Sequence, residues 1–328
     1  PPRSTLDRSS AASDVYKRQE NNIPIIYLNL VGGQDDQVFD GGSFVMDNYG
    51  NLITQFPQFE PLTPILVFEN KEPFIRNTNY NQLDIKNDLS QDYRAISEGT
   101  KDYILKSGFN SVIIGLSGGI DSALVAVMAV DALGADNVVC LALPSKFNSS
   151  ASLDDAKKLS ENLGITLETI GIQEIIDKVD QRLAPLFQGK KRDVTEENIQ
   201  SRLRAVLLMA FSNKEKHLLL STGNKSEIAV GYSTIYGDMA GGYTPLGDLY
   251  KMQVYAMAEE FNSRAKSSGN TPPVNQSTLS KPPSAELAPD QKDEDTLPPY
   301  PVLDEILKLH IEQSMDAEAM TDQGLDRK

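Results

Sequence analysis

The sequence of 328 residues predicts an α/β fold in which a parallel β-sheet carries helices on both faces. Two observations lead to this fold class. Between residues 111 and 221, short apolar runs alternate with amphipathic runs of helical period, which is the pattern of successive βαβ units. The apolar runs SVIIGL, NVVCLALP, TLETIGI and HLLLS are rich in Val, Ile and Leu, as strands buried on both faces are.

The alternating region predicts its elements in chain order. Strands are expected at 111–116, 137–144, 166–172 and 217–221, and helices at 122–133 and 152–164, with two further helices between 172 and 217. Ser152 is the candidate N-cap of the helix at 152–164, and Gly164 is its stop. Residues 262–300 lose this periodicity and become rich in Pro, Ser, Asn and Asp, so they predict a linker or a functional lid. A helix is expected again at 302–313.

The region before this alternation follows a different pattern. Residues 23–68 contain short β-branched and aromatic runs separated by Gly, Asn and Asp, and residues 48–50 predict a hairpin turn. Roughly 45 residues of strand with no helix to cover them are too few for an independent core, so they indicate the end of a larger domain. Residues 89–106 then predict an amphipathic helix that ends near Gly108.

The composition excludes several classes of protein. A net charge of −15 opposes contact with a phosphate backbone, so binding to nucleic acid is not expected. A single cysteine, Cys140, excludes an internal disulfide framework, and two histidines leave little room for a zinc centre. The longest strongly apolar stretch, residues 123–130, is too short to span a bilayer, and no signal peptide is recognisable. We therefore expect a cytoplasmic protein that does not bind a membrane.

The feature with the clearest chemistry is the hexapeptide SGGIDS at residues 117–122, between the first strand and the first helix of the alternation. Its glycines leave backbone N–H groups accessible, and the helix N-terminus adds partial positive charge, so the turn predicts a cradle for a pyrophosphate group. Ser117 and Ser122 can add hydroxyl donors, and Asp121 can bind a Mg²⁺ ion that bridges phosphates. An ordinary strand-to-helix turn is the alternative, but the acidic side chain at its mouth favours phosphate binding.

The hexapeptide resembles the SGGxDS loop of the ATP pyrophosphatase superfamily, whose members cleave ATP between its α and β phosphates to adenylate an acceptor. A second block, STGNKSEIAVGYSTIYGDMAGGYTPLGDLYK at residues 221–251, resembles the substrate-binding core of NAD synthetases. Residues 143–150, 193–204 and 281–300 match the same family, so the resemblance covers the region 81–328. It implies a parallel-sheet fold of the adenine-nucleotide α-hydrolase-like (Rossmann-like) type.

The segment IIYLNLVGGQDDQVFDGGSFVMDNYG at residues 25–50 resembles the end of the carbon–nitrogen hydrolase (glutaminase) domain of the glutamine-dependent branch of this family. The sequence therefore predicts a glutaminase remnant at 20–80 and a synthetase domain at 81–328, which includes a lid loop at 262–300. Residues 1–19 lack an initiator methionine and a periodic pattern, so they predict a non-native or disordered leader. We expect the chain to be a fragment cut at both ends.

The resemblance implies a role for each matching residue. Asp121 and Glu227 are the expected Mg²⁺ ligands, and together with Lys251 they form the expected catalytic set. The expected ATP contacts are Ser117, Gly118, Gly119, Ile120, Asp121, Ser122, Thr222 and Lys251. The expected contacts of the substrate deamido-NAD are Asn198, Arg202, Arg204, Asp238 and Glu286. Asn198 and Arg202 are four residues apart on a predicted helix and share a face, and an arginine fork suits phosphate recognition.

The implied activity is ATP-dependent amidation of deamido-NAD to NAD through an adenylated nicotinate, with release of AMP and pyrophosphate. The glutamine-dependent branch obtains ammonia from glutamine through a nucleophilic cysteine. Cys140 lies in the middle of a predicted strand, and we interpret it as a packed small hydrophobic residue. The parent protein is therefore expected to use glutamine, and this chain to use free ammonia. A homo-oligomer is also expected.

Two alternatives stay open. Another ATP pyrophosphatase, either tRNA-modifying or similar to GMP synthetase, would share the hexapeptide, but a tRNA-modifying enzyme needs a basic face and usually a reactive cysteine. An inactive nucleotide-binding fragment would keep the loop and lose the metal-binding acids, whereas Asp121 and Glu227 are both present.

Overall fold

The structure, a computed structural model, describes residues 23–35, 37–69, 72–75, 89–322 and 324–325. The chain divides into two compact units, Pro1–Lys106 and Ser107–Lys328. The predicted leader at 1–19 and the predicted division between residues 80 and 81 lie outside the described residues. Within the described ranges, no helix combines the length and the apolar composition that crossing a membrane requires.

The described part of the first unit consists of short antiparallel strands and a helix. Its elements are β1 (Ile25–Tyr27), β2 (Val31–Gln34), β3 (Gln37–Asp40), β4 (Phe44–Met46), β5 (Leu52–Gln55), β6 (Leu66–Glu69), β7 (Glu72–Ile75) and α1 (Leu89–Lys106). Strands β1, β4 and β5 form one sheet, in which β4 and β5 flank the predicted turn at residues 48–50. Strands β2 and β3 form a hairpin, as do β6 and β7.

Helix α1 has the predicted bounds and packs on the hairpin of β2 and β3. The Asp102 carboxylate accepts the Gly33 N–H at 2.8 Å, and Lys106 Nζ donates to the Gly33 carbonyl at 2.6 Å. Gly32 has a φ of +108°, a backbone conformation that other residues rarely adopt, and a Cβ there would also lie 2.4 Å from Asp102 Oδ2. The helix thus covers strands of its own unit, whereas the sequence grouped it with the domain at 81–328.

The second unit contains the predicted parallel sheet, with helices between its strands. Its strands are β8 (Val112–Gly115), β9 (Val138–Ala142), β10 (Thr166–Thr169) and β11 (Leu218–Leu220). Its helices are α2 (Ile120–Leu133), α3 (Ser150–Leu163), α4 (Gln173–Leu183), α5 (Val194–Glu215), α6 (Lys225–Val230), α7 (Lys251–Ser267), α8 (Gln276–Ser280), α9 (Tyr300–Leu307) and α10 (Ala317–Asp322). The strand order is β10-β9-β8-β11, and each neighbouring pair is parallel, which confirms the predicted fold class.

The strand order places a reversal of the chain between β8 and β11. From β8 the chain steps outward through α2, β9, α3 and β10, and then α4 and α5 return it to the opposite side of β8. Helix α2 packs on β8 and β9, whereas α5 packs on β8 and β11. Open parallel sheets bind ligands at the carboxyl ends of the strands beside such a reversal. The segments that follow β8 and β11 are therefore positioned to form a site.

The core beneath this site is apolar and closely packed. Ile113 of β8, Leu141 of β9 and Leu219 of β11 are buried in one cluster with Ile172 and Ile176 at the start of α4. Leucine side chains of α5 pack against the same cluster. The predicted strands therefore bury their branched apolar residues as expected, which removes from water the surface that drives folding.

Three elements differ from the sequence-based expectations. Ser149 rather than Ser152 caps α3, because Ser149 Oγ accepts the Ser152 N–H at 3.1 Å. Helix α7 continues through residues 262–267, which the sequence placed in the lid loop. Helix α9 begins at Tyr300 and passes into a wide helical turn at Lys308–Glu312, where the sequence predicted a single helix from 302.

The beginning of the predicted lid is anchored by polar side chains. The buried Asn262 donates from Nδ2 to the Val274 carbonyl at 2.7 Å and accepts the Val274 N–H at 3.0 Å. Next to α8, Asn275 Nδ2 donates to the Asp155 carbonyl at 3.2 Å. Apolar periodicity does not detect this kind of anchoring, because the anchors are amide side chains. The predicted lid therefore contains residues 262–267 of α7 and all of α8, and its longer irregular part follows α8.

Candidate active site

Residues 117–122, here called the phosphate loop, follow β8 and lead into the N-terminus of α2. Hydrogen bonds within the loop hold it in one conformation. The hydroxyl groups of Ser117 and Ser122 lie 3.1 Å apart, Gly119 N–H donates to Ser117 Oγ at 3.1 Å, and Ser122 Oγ donates to the Gly119 carbonyl at 3.1 Å. Because Ile120 is the first residue of α2, the partial positive charge of that helix N-terminus lies at the loop.

Gly118 sets how closely the phosphate loop approaches helix α3. Its φ is +82°, and a Cβ at this position would lie 2.1 Å from the Ser152 carbonyl oxygen. No residue with a side chain fits this distance, so glycine is required here for contact and not for backbone freedom alone. The approach places the phosphate loop directly beside the first turn of α3.

Lys251 joins the two carboxylates that the sequence predicted as metal ligands. Its side chain is 3% exposed, and its Nζ lies 2.6 Å from Asp121 Oδ2 and 2.9 Å from Glu227 Oε1. Asn224, which follows β11, donates from Nδ2 to Asp121 Oδ1 at 2.8 Å and accepts the Glu227 N–H at 3.0 Å as the N-cap of α6. The three residues of the predicted catalytic set therefore meet in one place.

The charges in this cluster influence one another strongly. Burial and the neighbouring Asp121 raise the pKa of the Glu227 carboxyl, and they outweigh the opposing effect of Lys251. Burial by itself lowers the pKa of the Lys251 ammonium, but Asp121 and Glu227 outweigh it, so that the pKa of Lys251 is raised. Lys251 therefore remains cationic, and Glu227 takes up a proton more readily than an exposed glutamate does.

Two tyrosines and a third carboxylate extend the cluster. Asp293 is buried and accepts the Tyr300 hydroxyl at 2.8 Å and the Tyr232 hydroxyl at 3.1 Å. The Tyr300 hydroxyl also lies 3.5 Å from Glu227 Oε1, and Lys251 Nζ lies 5.1 Å from the centre of the Tyr300 ring. Burial and the neighbouring carboxylates raise the pKa of both phenols, so both tyrosines act as hydrogen-bond donors here.

The predicted substrate-binding residues of α5 point to different places. Asn198 Oδ1 accepts the Thr234 hydroxyl at 2.8 Å. Arg204 donates from Nε to the Leu143 carbonyl at 3.0 Å, and burial lowers the pKa of its guanidinium to about 10, although Glu286 opposes this shift. Arg202 instead donates from Nε to the carbonyl of residue 235 at 3.2 Å.

Asp238 is held in the loop after α6. Its carboxylate accepts the Thr234 N–H at 2.7 Å, and its carbonyl accepts the Ser221 hydroxyl at 3.1 Å. Burial raises the pKa of the Asp238 carboxyl, against the effect of its hydrogen bond from Thr234. Asp238 thus connects Ser221, just after β11, to Thr234, which in turn contacts Asn198.

Glu286 connects the lid segment to the start of α3. Its carboxylate accepts hydrogen bonds from Lys281 Nζ at 2.7 Å, Ser152 Oγ at 2.6 Å and Asn148 Nδ2 at 3.1 Å. We call these four residues the Glu286 cluster. Burial opposes ionisation, but these hydrogen bonds outweigh it and lower the pKa of the Glu286 carboxyl. The Glu286 backbone has a φ of +50°, so the cluster holds the residue in a conformation that glutamate seldom adopts.

These groups line one cavity of about 680 Å³. The predicted residues on its wall are Ser117, Gly119, Ile120, Asp121, Ser122, Asn198, Arg204, Thr222, Glu227, Asp238, Lys251 and Glu286. Gly118 and Arg202 do not line it. Most of the predicted set therefore shares one space, whose volume suits a nucleotide-sized ligand. Cys140 is buried in the sheet, and burial raises the pKa of its thiol to about 12, as expected for a structural cysteine.

Several residues of the cavity were not predicted from the sequence. Asn224, Lys281 and Asp293 line it or contact its carboxylates, and Ser152 belongs to both the phosphate-loop contact and the Glu286 cluster. Asn224 had a signal, because Asn followed three residues later by Glu is a helix-capping pattern. Lys281 and Asp293 lie in the family-like block 281–300, and Ser152 was expected only as a helix cap, but their contacts at the site depend on segments that are distant in the sequence.

The parallel sheet carries a glycine-rich turn and a helix N-terminus at its reversal, and a buried lysine lies beside them between two carboxylates. These features define a nucleotide-binding α/β domain. The family model for NAD synthase matches residues 92–328. The chain belongs to the NAD synthase family.

Known relatives agree with this membership. The glutamine-dependent NAD(+) synthetase of Rhodobacter capsulatus is 50% identical over 313 residues, which are 94% of this chain and 56% of the relative. The structure of glutamine-dependent NAD+ synthetase from Acinetobacter baumannii in complex with ADP matches with a TM-score of 0.74 and 37% identity, over 96% of this chain and 56% of that chain. NMN synthetase from Francisella tularensis matches with a TM-score of 0.60 and 30% identity, over 72% of this chain and 91% of that chain. The chain thus spans little more than half the length of its glutamine-dependent relatives.

Proposed function

We propose that this chain amidates deamido-NAD to NAD at the expense of ATP, through an adenylated nicotinate, with release of AMP and pyrophosphate. The observation that carries the proposal is the position of Lys251 between Asp121 and Glu227, beside the phosphate loop in the cavity of about 680 Å³. This arrangement supplies a fixed positive charge and backbone donors for a pyrophosphate group, together with acidic groups for a metal ion.

In the first step, the nicotinate carboxylate attacks the α-phosphorus of ATP. The bond from the α-phosphorus to the bridging oxygen breaks, and pyrophosphate leaves with the bonding electrons. The phosphate loop and Lys251 would bind the departing group, where negative charge develops. The chain's contribution is positioning and electrostatic stabilisation, because no side chain forms a covalent bond in this scheme.

In the second step, ammonia attacks the acyl carbon of the adenylate and forms a C–N bond. The bond from that carbon to the phosphate oxygen breaks, AMP leaves with the bonding electrons, and the added nitrogen releases one proton to water. Water is a competing nucleophile, so the adenylate must be shielded. The lid segment after α8 is suited to this, because the Glu286 cluster holds it against α3 at the edge of the cavity. Arg204 and Asn198 on α5 would orient the deamido-NAD molecule.

The residues at this site fit Mg²⁺. Two acidic side chains, Asp121 and Glu227, face the cavity with one ammonium between them, and their oxygens are the ligand type that Mg²⁺ prefers. Among the described residues, no group of three or more His, Cys, Asp or Glu side chains is arranged to hold a metal ion. Protein sites for Mg²⁺ commonly use one or two carboxylates and complete the shell with water and substrate phosphates. When bound, the ion would neutralise charge on the leaving pyrophosphate.

The nitrogen source tests the proposal directly. With ATP, Mg²⁺ and deamido-NAD, we expect NAD to form with ammonium chloride and not with ammonia-free glutamine. The activity should increase from pH 7 to pH 8.5, because ammonia and not ammonium is the nucleophile. The Cys140→Ser variant should behave as the unmodified chain does, because the thiol is buried. Glutamine-supported synthesis, or its loss in Cys140→Ser, would contradict this part of the proposal.

A second candidate product is NMN, because the NMN synthetase of Francisella tularensis is 30% identical and matches over 91% of its length. The two substrates differ in the adenylyl half, which the mononucleotide lacks. Side-by-side turnover of deamido-NAD and nicotinate mononucleotide discriminates between them. We expect a preference for deamido-NAD, and a higher kcat/KM with the mononucleotide would favour the second candidate.

Closure of the lid is a further expected property. Limited proteolysis without ligands should cut first between α8 and Asp293, and ATP with deamido-NAD should suppress this cleavage. The Lys281→Gln variant removes the positive charge that pairs with Glu286 and should be cut several-fold faster without ligands, because local opening governs cleavage. Lys292→Gln, in the same segment and outside the Glu286 cluster, is the matched control. Equal cleavage with and without ligands would mean that the segment is a passive linker.

Other expectations remain predictions that accompany this proposal. They are a homo-oligomeric state, a cytoplasmic location and the use of glutamine by a longer parent protein. A tRNA acceptor is less compatible with the net charge of −15 and with a buried Cys140, whereas an acceptor similar to that of GMP synthetase stays an alternative.

A further inference from the structure

Asp304, on helix α9, is a buried carboxylate that the proposed reaction does not use. It is 2% exposed and does not line the cavity. Its Oδ1 accepts the hydroxyl of Ser226, and its Oδ2 accepts the Met252 N–H at 2.8 Å. Ser226, also fully buried, accepts the Lys251 N–H on its Oγ at 2.9 Å. We call Asp304, Ser226 and these two backbone N–H groups the Asp304 clamp.

The clamp supplies hydrogen-bond acceptors to the first backbone N–H groups of helix α7. The first N–H groups of an α-helix have no partner within the helix and are usually bound by a serine, threonine, aspartate or asparagine at the N-cap. Helix α7 follows Tyr250, which is not such a residue, and its first two N–H groups are instead bound by Ser226 and Asp304. The negative charge of Asp304 also offsets the unfavourable position of a cationic Lys251 at the positive end of the helix.

The clamp lies beside both residues of an ion pair. Ser226 immediately precedes Glu227 on α6, and Met252 immediately follows Lys251 on α7. The clamp therefore joins the two backbones next to the side chains that meet at 2.9 Å. Helix α9 also carries Tyr300, whose hydroxyl lies 3.5 Å from Glu227 Oε1. A shift of the first turn of α7 would move Lys251 Nζ relative to both of its carboxylates.

We infer that Asp304 is a positioning residue for adenylate formation: through Ser226 and the first turn of α7, it sets where Lys251 lies relative to Glu227 and Asp121. The inference rests on the proposed function. Asp304 touches no substrate in this scheme and acts through Lys251 alone. Misplacement of a catalytic group by about 1 Å can lower a rate by about a hundredfold, so a small change at the clamp is sufficient for a large effect.

The first test is the Asp304→Asn variant, measured as pyrophosphate release with saturating MgATP, deamido-NAD and ammonium. One carboxylate oxygen becomes an NH₂ group that faces a hydrogen-bond donor, so one of the two hydrogen bonds that Asp304 accepts is lost. We expect kcat to decrease by about ten- to a hundredfold, with the KM for ATP changed by less than about threefold. The matched control is Asp155→Asn, because Asp155 is also buried and accepts a serine hydroxyl, from Ser277, outside the cavity. The kcat of this control should decrease by less than about threefold.

A purely structural role would give a different result. If Asp304 acts through Lys251, Asp304→Asn should cause little further loss in a Lys251→Met background, where the ammonium that it positions is already absent. A similar fold-loss in both backgrounds would overturn the inference, as would equal losses of kcat for Asp304→Asn and Asp155→Asn at equal loss of thermal stability. Should Asp304→Asn not fold, Ser226→Ala removes the same link to the Lys251 N–H, and a kcat within twofold of the unmodified chain would overturn the inference.

Amide hydrogen exchange tests the clamp without reference to activity. In Asp304→Asn, exchange at Met252 should become at least about tenfold faster, while amides in the middle of α3 are unchanged. Unchanged exchange at Met252 would overturn the clamp. If the unmodified chain releases no pyrophosphate although its Met252 amide is protected, the proposed function fails and the geometry of the clamp stands by itself.

Discussion

Replacing Glu227 by Gln, or Asp121 by Asn, is expected to lower pyrophosphate release from MgATP and deamido-NAD by about a thousandfold. Each change keeps the size of the side chain and removes the charge that would bind Mg²⁺, and loss of one electrostatic contact to a developing charge has an effect of about 10²–10³ in kcat. Both carboxylates contact the same Lys251 Nζ, at 2.6 and 2.9 Å. Either substitution therefore also changes the position of Lys251 relative to the carboxylate that remains.

The measurement is the initial rate of pyrophosphate release over a range of Mg²⁺ concentrations. We expect the concentration of Mg²⁺ for half-maximal rate to increase in both variants. Glu259→Gln is the matched control, because Glu259 is an exposed carboxylate on α7, the same helix that begins with Lys251. Release near the rate of the unmodified chain in either Asp121→Asn or Glu227→Gln would refute the metal assignment.

The Lys251→Met variant should show the second large effect, on stability as well as on activity. Methionine keeps much of the length of the side chain and removes its charge. Asp121 and Glu227 would then face each other without a counter-charge in a buried position, and breaking a buried ion pair from one side destabilises proteins by about 3–5 kcal/mol. The adenylation rate should decrease by about a hundredfold or more, because the fixed cation beside the phosphate loop is lost.

Urea denaturation of single and double variants isolates the cause. If the destabilisation comes from unbalanced carboxylates, then Lys251→Met combined with Glu227→Gln should be more stable than Lys251→Met alone. Arg264→Met is the control, because Arg264 pairs with Glu260 at 2.8 Å on the exposed side of the same helix, and exposed pairs contribute about 0–1 kcal/mol. Strict additivity of the two substitutions would show that Lys251 contributes by packing and not by charge.

The two variants at the centre of the site also separate binding from chemistry. Lys251→Met removes a contact to phosphate in both the ground state and the transition state, so the KM for ATP should increase together with the loss in kcat. Asp304→Asn keeps the charge of Lys251 and alters its position, so its effect should fall mainly on kcat. The two profiles can therefore be compared within one set of kinetic measurements.

The sequence by itself predicted most of the strands and helices. Apolar runs of five or so residues, separated by amphipathic helices, define the parallel strands because burial on both faces requires such runs. The bounds of α1 followed from its amphipathic period, and the phosphate loop followed from two glycines placed between a strand and a helix. These features depend on neighbours within a few residues, where backbone conformation and side-chain periodicity are encoded directly.

The sequence predicted the ends of the helices less accurately than their presence. Several serines lie near the start of α3, and any of them can cap a helix, so sequence did not distinguish Ser149 from Ser152. The extension of α7 through residues 262–267 depends on the contact of Asn262 with the backbone of Val274, which no apolar pattern indicates. The packing of α1 on the β2–β3 hairpin likewise depends on a close contact between Asp102 and Gly33.

The arrangement of the site was decided by the tertiary structure. Lys251 meets Asp121 across 130 residues of sequence, and Asn224 meets it across 103. The resemblance to a family could assign roles to Asp121, Glu227 and Lys251, but their contacts depend on the strand order β10-β9-β8-β11, which brings the ends of β8 and β11 side by side. Local sequence specifies which face of each element is apolar and where each turn lies. It does not specify which polar side chains meet at the end of the sheet, because that depends on how all the elements pack at once.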